Sequence, residues 1–235
     1  MKTIQLILQA KGGVGKSLFT WFVAHAEKET KTSFIDLDES TRTSANRLES
    51  IVGVKRIRHV EILNDSKRLE REKIISLFES LAKAQSPNIY VDFGASESEE
   101  FRKLLEFDIP AENLNTELTF LEIKLQIFVV IAGRDAFIAC FNYYKNLSKS
   151  VDGQFEIIIL LNEGTFGSNE AIEIIKNKFV STNIKFHSFG KLGDSDSGRD
   201  VIKILTEGKG EETLNLMGRI TFKKALEQVK QIIYS

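Results

Sequence analysis

The residues best equipped for chemistry stand near the start of the chain, in the stretch QAKGGVGKSLF from Gln9 to Phe19. Lys16 occupies the position at which the pattern G-x-x-x-x-G-K-[ST] carries its lysine, reaching the β- and γ-phosphates of a nucleotide. The backbone amides of Gly12, Gly13, Val14, Gly15, Lys16 and Ser17 would cradle the phosphate oxygens, and the Ser17 hydroxyl would go to Mg2+. Glycine is needed because the amides must turn inward and the backbone must come close to the phosphates. A second cation, Lys11, precedes the loop, and single-chain phosphate binding does not account for it. Three carboxylates complete the set. Asp36 and Asp38 end the run FIDLD, two residues apart and so on one face of a strand, and Asp92 ends NIYVD. A carboxylate is ionised at neutral pH, accepts hydrogen bonds from water and binds a hard cation through oxygen.

These residues need a scaffold that brings strand ends together, and the apolar pattern supplies one. Short apolar runs predict strands at 3–9, 32–37, 88–93, 125–131 and 155–161, with a weaker one at 184–189 and a short extra one at 59–63. Recurrence at three and four predicts helices at 16–29, 66–84, 97–106, 134–149, 168–179 and 214–233. Strand and helix alternate, as in a doubly wound, mostly parallel α/β sheet with helices on both faces. In such a sheet ligands bind at the carboxyl edge, where Asp36, Asp38 and Asp92 fall. Only Pro87 and Pro110 interrupt the chain and no linker or repeat appears, so residues 1–235 read as a single domain.

The spelling K-G-G-x-G-K-[ST] resembles the deviant phosphate loop of the ParA/MinD family, the partition and positioning ATPases among the SIMIBI P-loop proteins. The resemblance implies a nucleotide-sandwich homodimer that binds Mg-ATP and hydrolyses it slowly, with Lys11 as the signature lysine that reaches the partner's nucleotide. It makes Lys11, Lys16 and Asp38 the catalytic set, Asp38 orienting the attacking water. It assigns Asp36, Asp92 and Ser17 to the Mg2+ shell. Asn162, ending IIILLN, stands where the family has an asparagine that contacts adenine; an amide suits a purine edge, and an asparagine after a strand also serves as a turn former. The chain departs from the family at Leu18, where threonine or serine binds the α-phosphate, so that contact is lost or passes to the backbone of Leu18. Glu39 and Ser40 replace the usual PQ, and SFGKLGDSDSG lacks the family's proline in the adenine loop.

Composition narrows the partners. A formal charge of −1 provides no global attraction to nucleic acid or acidic lipid, so any such binding must be local. The single Cys140 rules out an intrachain disulfide and a cysteine-only metal framework, and fits a reducing compartment. No apolar run is long enough to span a bilayer and no basic-apolar leader precedes the first strand, so a cytoplasmic protein is expected. Two basic segments, Lys55 to Lys73 and Arg219 to Lys230, could follow DNA phosphates or simply be solvated helix faces. The family resemblance implies non-specific DNA and a ParB-like adaptor as partners. The stripe Phe222, Ala225, Leu226, Val229 and Ile233 suits either a membrane-seeking helix, as in MinD, or a helix packed on the sheet. Conjugative-transfer regulation without strong turnover is the alternative use of the same loop.

Overall fold

The computed structural model describes residues 1–38, 43–192 and 195–235. Seven strands form: β1 Lys2–Leu8, β2 Ser33–Asp36, β3 Ile57–His59, β4 Asn88–Asp92, β5 Ile123–Ile131, β6 Glu156–Asn162 and β7 Phe186–Phe189. They lie in the order β3-β2-β4-β1-β5-β6-β7, and every strand pair is parallel. The chain runs outward from β1 on one side, returns through β4, and then runs outward on the other, so the switch point lies at β1.

Among the described residues the helices are α1 Lys16–Ala26, α2 Thr43–Val52, α3 Arg71–Ala82, α4 Ala95–Phe107, α5 Ala111–Phe120, α6 Phe137–Val151, α7 Asn169–Ser181, α8 Asp196–Glu207 and α9 Leu216–Ile233. Buried Phe19, Phe22, Phe179, Val201 and Phe222 tie α1, α7, α8 and α9 to the sheet in one core cluster. Ile74, Phe101, Leu114 and Leu147 tie α3, α4, α5 and α6 to it in the other. Central strands such as β1 and β5 are covered on both sides, which is why they read as near-continuous apolar runs.

The sequence pattern missed three helices. In α5 only Leu114 and Leu118 are buried beyond its first residue, too few for a clear period. The start of α8 reads as a loop because it is rich in serine, aspartate and glycine. It is set by a Ser195 cap, whose hydroxyl accepts from the Gly198 amide at 3.4 Å, and it ends at Gly208 with φ +65°. In α2 the flanking residues give little apolar signal. The short strand expected at 59–63 forms at Ile57–His59 instead, hydrogen-bonded along β2 with Asp36 opposite His59.

The stripe on α9 belongs to the interior: Phe222, Ala225, Val229 and Ile232 are buried, with Leu226 and Ile233 packed against the same cluster. Phe222 stacks edge-on against Trp21 of α1, with ring centroids 5.5 Å apart. No helix of the described residues is long and apolar enough to cross a membrane. In the first basic segment, Arg56 donates to the carbonyls of Thr32, Lys28 and Glu27 at 2.7, 2.7 and 2.8 Å, closing the end of α1. Arg71 pairs with Asp108 at 2.9 Å and Lys73 with Glu70 at 3.1 Å, so much of that charge is spent within the chain.

His25 is enclosed by Trp21 and Phe222, at ring-centroid distances of 4.5 and 4.9 Å. Burial, with the Lys28 charge adding to it, pushes its pKa down to about 4. A group held neutral in the fold contributes stability above its unfolded pKa of about 6.5 and loses it as pH falls through the folded value. Acidification should therefore remove on the order of 3 kcal/mol through this one imidazole. Urea midpoints measured from pH 7.5 to pH 3.5 should fall less steeply in His25→Leu than in the parent protein.

Candidate functional site

Where β1 ends, the chain turns through a glycine loop into α1. Gly13 and Gly15 hold φ of +74° and +105°, a region other residues rarely adopt, and Gly15 forms the left-handed entry to α1. The loop is anchored from beneath by Gln9, fully buried at the end of β1. Its side-chain amide donates to the carbonyls of Val130 and Cys140 at 2.8 and 3.3 Å, and its carbonyl oxygen accepts from the Lys11 amide at 3.3 Å. Its backbone N–H donates to Ser98 Oγ at 3.1 Å, which ties the loop to α4.

The loop sends its two lysines to opposite environments. Lys16 is only 8% exposed, and its ammonium donates to the Gln9 carbonyl at 2.9 Å. Burial lowers its pKa, opposed by the charges of Asp92, Asp38 and Glu97. Lys11 is exposed. Across the sheet edge Asp92 is 2% exposed; burial pushes its pKa up to about 7, against the pull of Lys16 and of hydrogen bonds from Ser17 and Thr20. Asp36, 1% exposed, stands level with Asp92 on the neighbouring strand and raises it further. Asp38 lies two residues past the end of β2, where its amide donates to Asp36 Oδ1 at 3.1 Å. Gly94 makes room for it: a β-carbon there would come within 3.2 Å of the Asp38 Cα.

A hard divalent cation fits this set. Asp92 Oδ1 is buried without a hydrogen-bond partner, beside the Ser17 hydroxyl and the Asp36 carboxylate, an all-oxygen group that carries more negative charge than burial favours.

Beside the loop opens a cavity of about 730 Å3, walled by Gly15, Leu18, Asn162, Phe166, Ile172 and Ile202 among others. That volume matches a nucleoside, with apolar faces for a base. Leu18 thus presents a side chain to the cavity, and its backbone amide alone is left for a phosphate. Asn162 stands on this wall and also braces the loop: its amide donates to the Val14 carbonyl at 2.8 Å, and a β-carbon on Gly15 or Gly190 would come within 2.3 or 2.4 Å of it. The sequence did not indicate this bracing use. Gly133 leaves space for the Phe166 ring, 2.6 Å from where a β-carbon would stand, and its amide donates to Thr165 Oγ1 at 2.7 Å. Buried Glu163, on the same wall, pairs with Lys176 at 2.6 Å.

Glu39 and Ser40, and the residues Gly193 and Asp194 of the other departing loop, lie outside the described residues. Every other sequence-derived candidate gathers at the carboxyl edge: Lys16, Ser17, Asp36, Asp38 and Asp92 on one side of the loop, Leu18 and Asn162 on the other.

No protein-family model and no curated protein matches the sequence. Solved structures do. A candidate plasmid partition protein from Borrelia burgdorferi B31 bound to AMPPNP superposes with a TM-score of 0.58 at 12% identity, covering 100% of this chain and 99% of that one. The MinD cell division protein of Aquifex aeolicus gives 0.54 at 13%, covering 100% and 98%. A McdA–ATP complex from Cyanothece gives 0.51 at 15%, covering 99% and 96%. The fold is that of the ParA/MinD-type P-loop proteins. The ParA/MinD fold spans the chain from end to end, although fewer than one residue in five is shared with these three.

Gly15 tests the geometry of the loop. Gly15→Ala combines a left-handed φ with a collision against Asn162, so nucleotide affinity should drop roughly tenfold or more while the cooperative thermal melt persists. Titration with a fluorescent ATP analogue, alongside circular dichroism, checks both halves.

Proposed function

We propose that residues 1–235 form one ParA-like ATPase domain that binds Mg-ATP, closes as a nucleotide-sandwich homodimer and hydrolyses ATP slowly. The observation that carries this reading is the division between the two lysines: Lys16 buried at 8% exposure beside Asp92, and Lys11 exposed on the same loop. A single chain uses the first. The second is directed outward, where a partner's nucleotide would meet it. Neighbours of the same fold bind AMPPNP or ATP, and MinD of Aquifex aeolicus is seen in a complex with MinC, which supports nucleotide binding and regulated partner contact here.

In this reading Gly12, Gly13, Val14, Gly15, Lys16, Ser17 and the Leu18 amide hold the phosphates, and Asn162 fixes the wall against which the base lies. Ser17, Asp36 and Asp92 hold Mg2+, which supplies charge neutralisation at the β- and γ-phosphates. Asp38 orients the attacking water, within the field of Lys16. Loss of the γ-phosphate removes what Lys11 grips, so the dimer opens and its partner surface disperses. The partners that suit such a timer are non-specific DNA and a ParB-like adaptor, in plasmid or chromosome partitioning. With Leu18 offering no hydroxyl to the α-phosphate, weak turnover in a regulator of conjugative transfer is the second reading. Phosphate release measured with and without DNA separates the two.

Asp38→Ala should bind Mg-ATP normally and turn over at least about a hundredfold more slowly, because a residue that positions water acts only at the reactive step. Single-turnover kinetics would detect this, and unchanged hydrolysis would move the role elsewhere. Lys11→Ala should bind a non-hydrolysable analogue as the parent does yet dimerise roughly a hundredfold more weakly, since two polyphosphates would then face each other without the crossing cations. Analytical ultracentrifugation in the analogue decides it; a mutant that dimerises as the parent does makes Lys11 an ordinary loop lysine.

A further inference from the structure

Across three neighbouring strands the sheet sets one row of side chains at its carboxyl edge. Register pairs Asp92 of β4 with Asp36 of β2, and Asp36 with His59 of β3. Residues paired in this way in a parallel sheet project to the same face, so an imidazole, a carboxylate and a second carboxylate follow one another toward the phosphate loop. Lys16 lies beside the inner carboxylate. His59 stands on the outer side of Asp36.

The contact is close and incomplete. His59 Nδ1 stands 3.9 Å from Asp36 Oδ2, and it is buried without a hydrogen-bond partner. Asp36 Oδ1 accepts the Asp38 amide at 3.1 Å, and Oδ2 is the oxygen that His59 Nδ1 approaches. A bridging water would need about 4.5 Å or more between the two atoms, so any bond here is direct. The backbone beside His59 is held, with the Val60 amide donating to the Asp36 carbonyl at 3.0 Å. On its far side the ring has Glu61 Oε1 3.9 Å from Nε2. A small rotation of one or both side chains is then all that separates this arrangement from a hydrogen bond.

We propose that His59 is a positioning residue for Asp36: its Nδ1–H closes onto Asp36 Oδ2 and fixes the carboxylate in the orientation it needs to support the Mg2+ shell. This inference rests on the reading of Asp36 as part of that shell. The chemical reason is general. A carboxylate that serves a metal is itself held by hydrogen bonds, and loss of such an outer partner costs about 10- to 100-fold in metal affinity. Asp36 is buried next to Asp92, and two adjacent carboxylates repel each other, so the orientation of Asp36 matters to both.

The test is a Mg2+ titration of binding of a fluorescent, non-hydrolysable ATP analogue, which reads metal use without turnover. His59→Ala should raise the half-saturating Mg2+ concentration about tenfold. His59→Asn, whose amide nitrogen takes the place of Nδ1, should restore it to within about twofold, whereas His59→Gln, which can mimic only Nε2, should not. Thermal melts check folding, and should His59→Ala fail to fold, the comparison of Asn with Gln still decides. Asp36→Asn separates the two levels of the argument. If Asp36→Asn raises the Mg2+ requirement and His59→Ala leaves it at the parent value, the positioning role is overturned and the Asp36 reading stands. Equal loss in the Asn and Gln variants makes His59 a packing residue and overturns the role as well. No change in Asp36→Asn removes Asp36 from the Mg2+ shell, and the inference with it.

Discussion

An ammonium group buried at the end of the central strand imposes the main constraint on this molecule. Lys16 is 8% exposed, and a charge so far from water must be compensated by neighbours or lose its proton. Its one direct partner from the loop side is the Gln9 carbonyl, and the carboxylates of Asp92, Asp38 and Glu97 supply the opposing charge. Each of these must arrive at the same place from a different part of the chain: Asp92 from β4, Asp38 from beyond β2, Glu97 from the first turn of α4. A parallel sheet meets that demand because all its strands end on the same edge. Its order, with β4 and β5 flanking β1, puts the phosphate loop at the point where crossover helices diverge and leave a crevice. The same burial that disfavours the charge on Lys16 also drives Asp92 toward neutrality.

The parts of this arrangement legible in the sequence were those encoded by adjacent residues. The glycine loop, Ser17 and the strand-ending Asp36 and Asp92 each carry their signal within a few positions, and their strands are apolar enough to be found by pattern alone. The all-parallel sheet followed from strand and helix alternation. Three helices did not: α5 buries few apolar residues beyond its first, and the start of α8 is rich in serine, aspartate and glycine.

The hidden parts of the site are those that depend on register. Displacing β3 by two residues, from 59–63 to Ile57–His59, changes His59 from the first residue of a strand into its last, and so carries it to the functional edge opposite Asp36. Gln9 had no signal of its own: a glutamine at a strand end looks solvated until the folded chain surrounds it with Val130, Cys140 and Ser98. Asn162 was visible as a strand-ending amide, but its bond to the Val14 carbonyl spans 148 positions and no local pattern reports it. Fold, then, is written in short-range periodicity, whereas the fine geometry of the site is written in pairings between distant segments.

The two lysines of the loop follow from these same constraints. They are five positions apart, and between them Gly13 and Gly15 take left-handed conformations; the first lysine is exposed while the second is buried. Were both buried, a second ammonium would bear the desolvation cost that already lowers the pKa of Lys16. Were both exposed, the loop would hold phosphate only through its amides, and Asp92 would sit buried beside Asp36 with no cation to oppose it. Placing one lysine inside offsets part of the negative charge of Asp92, Asp38 and Glu97, and placing the other outside leaves a second cation at the rim. An exposed cation at the rim of a phosphate site is most strongly attracted to a second set of phosphates approaching from outside, and its hold must weaken when those phosphates are shortened. The coupling of nucleotide state to assembly proposed for this chain therefore needs no separate device. It would follow from how one loop and the start of α1 distribute two positive charges across one sheet edge.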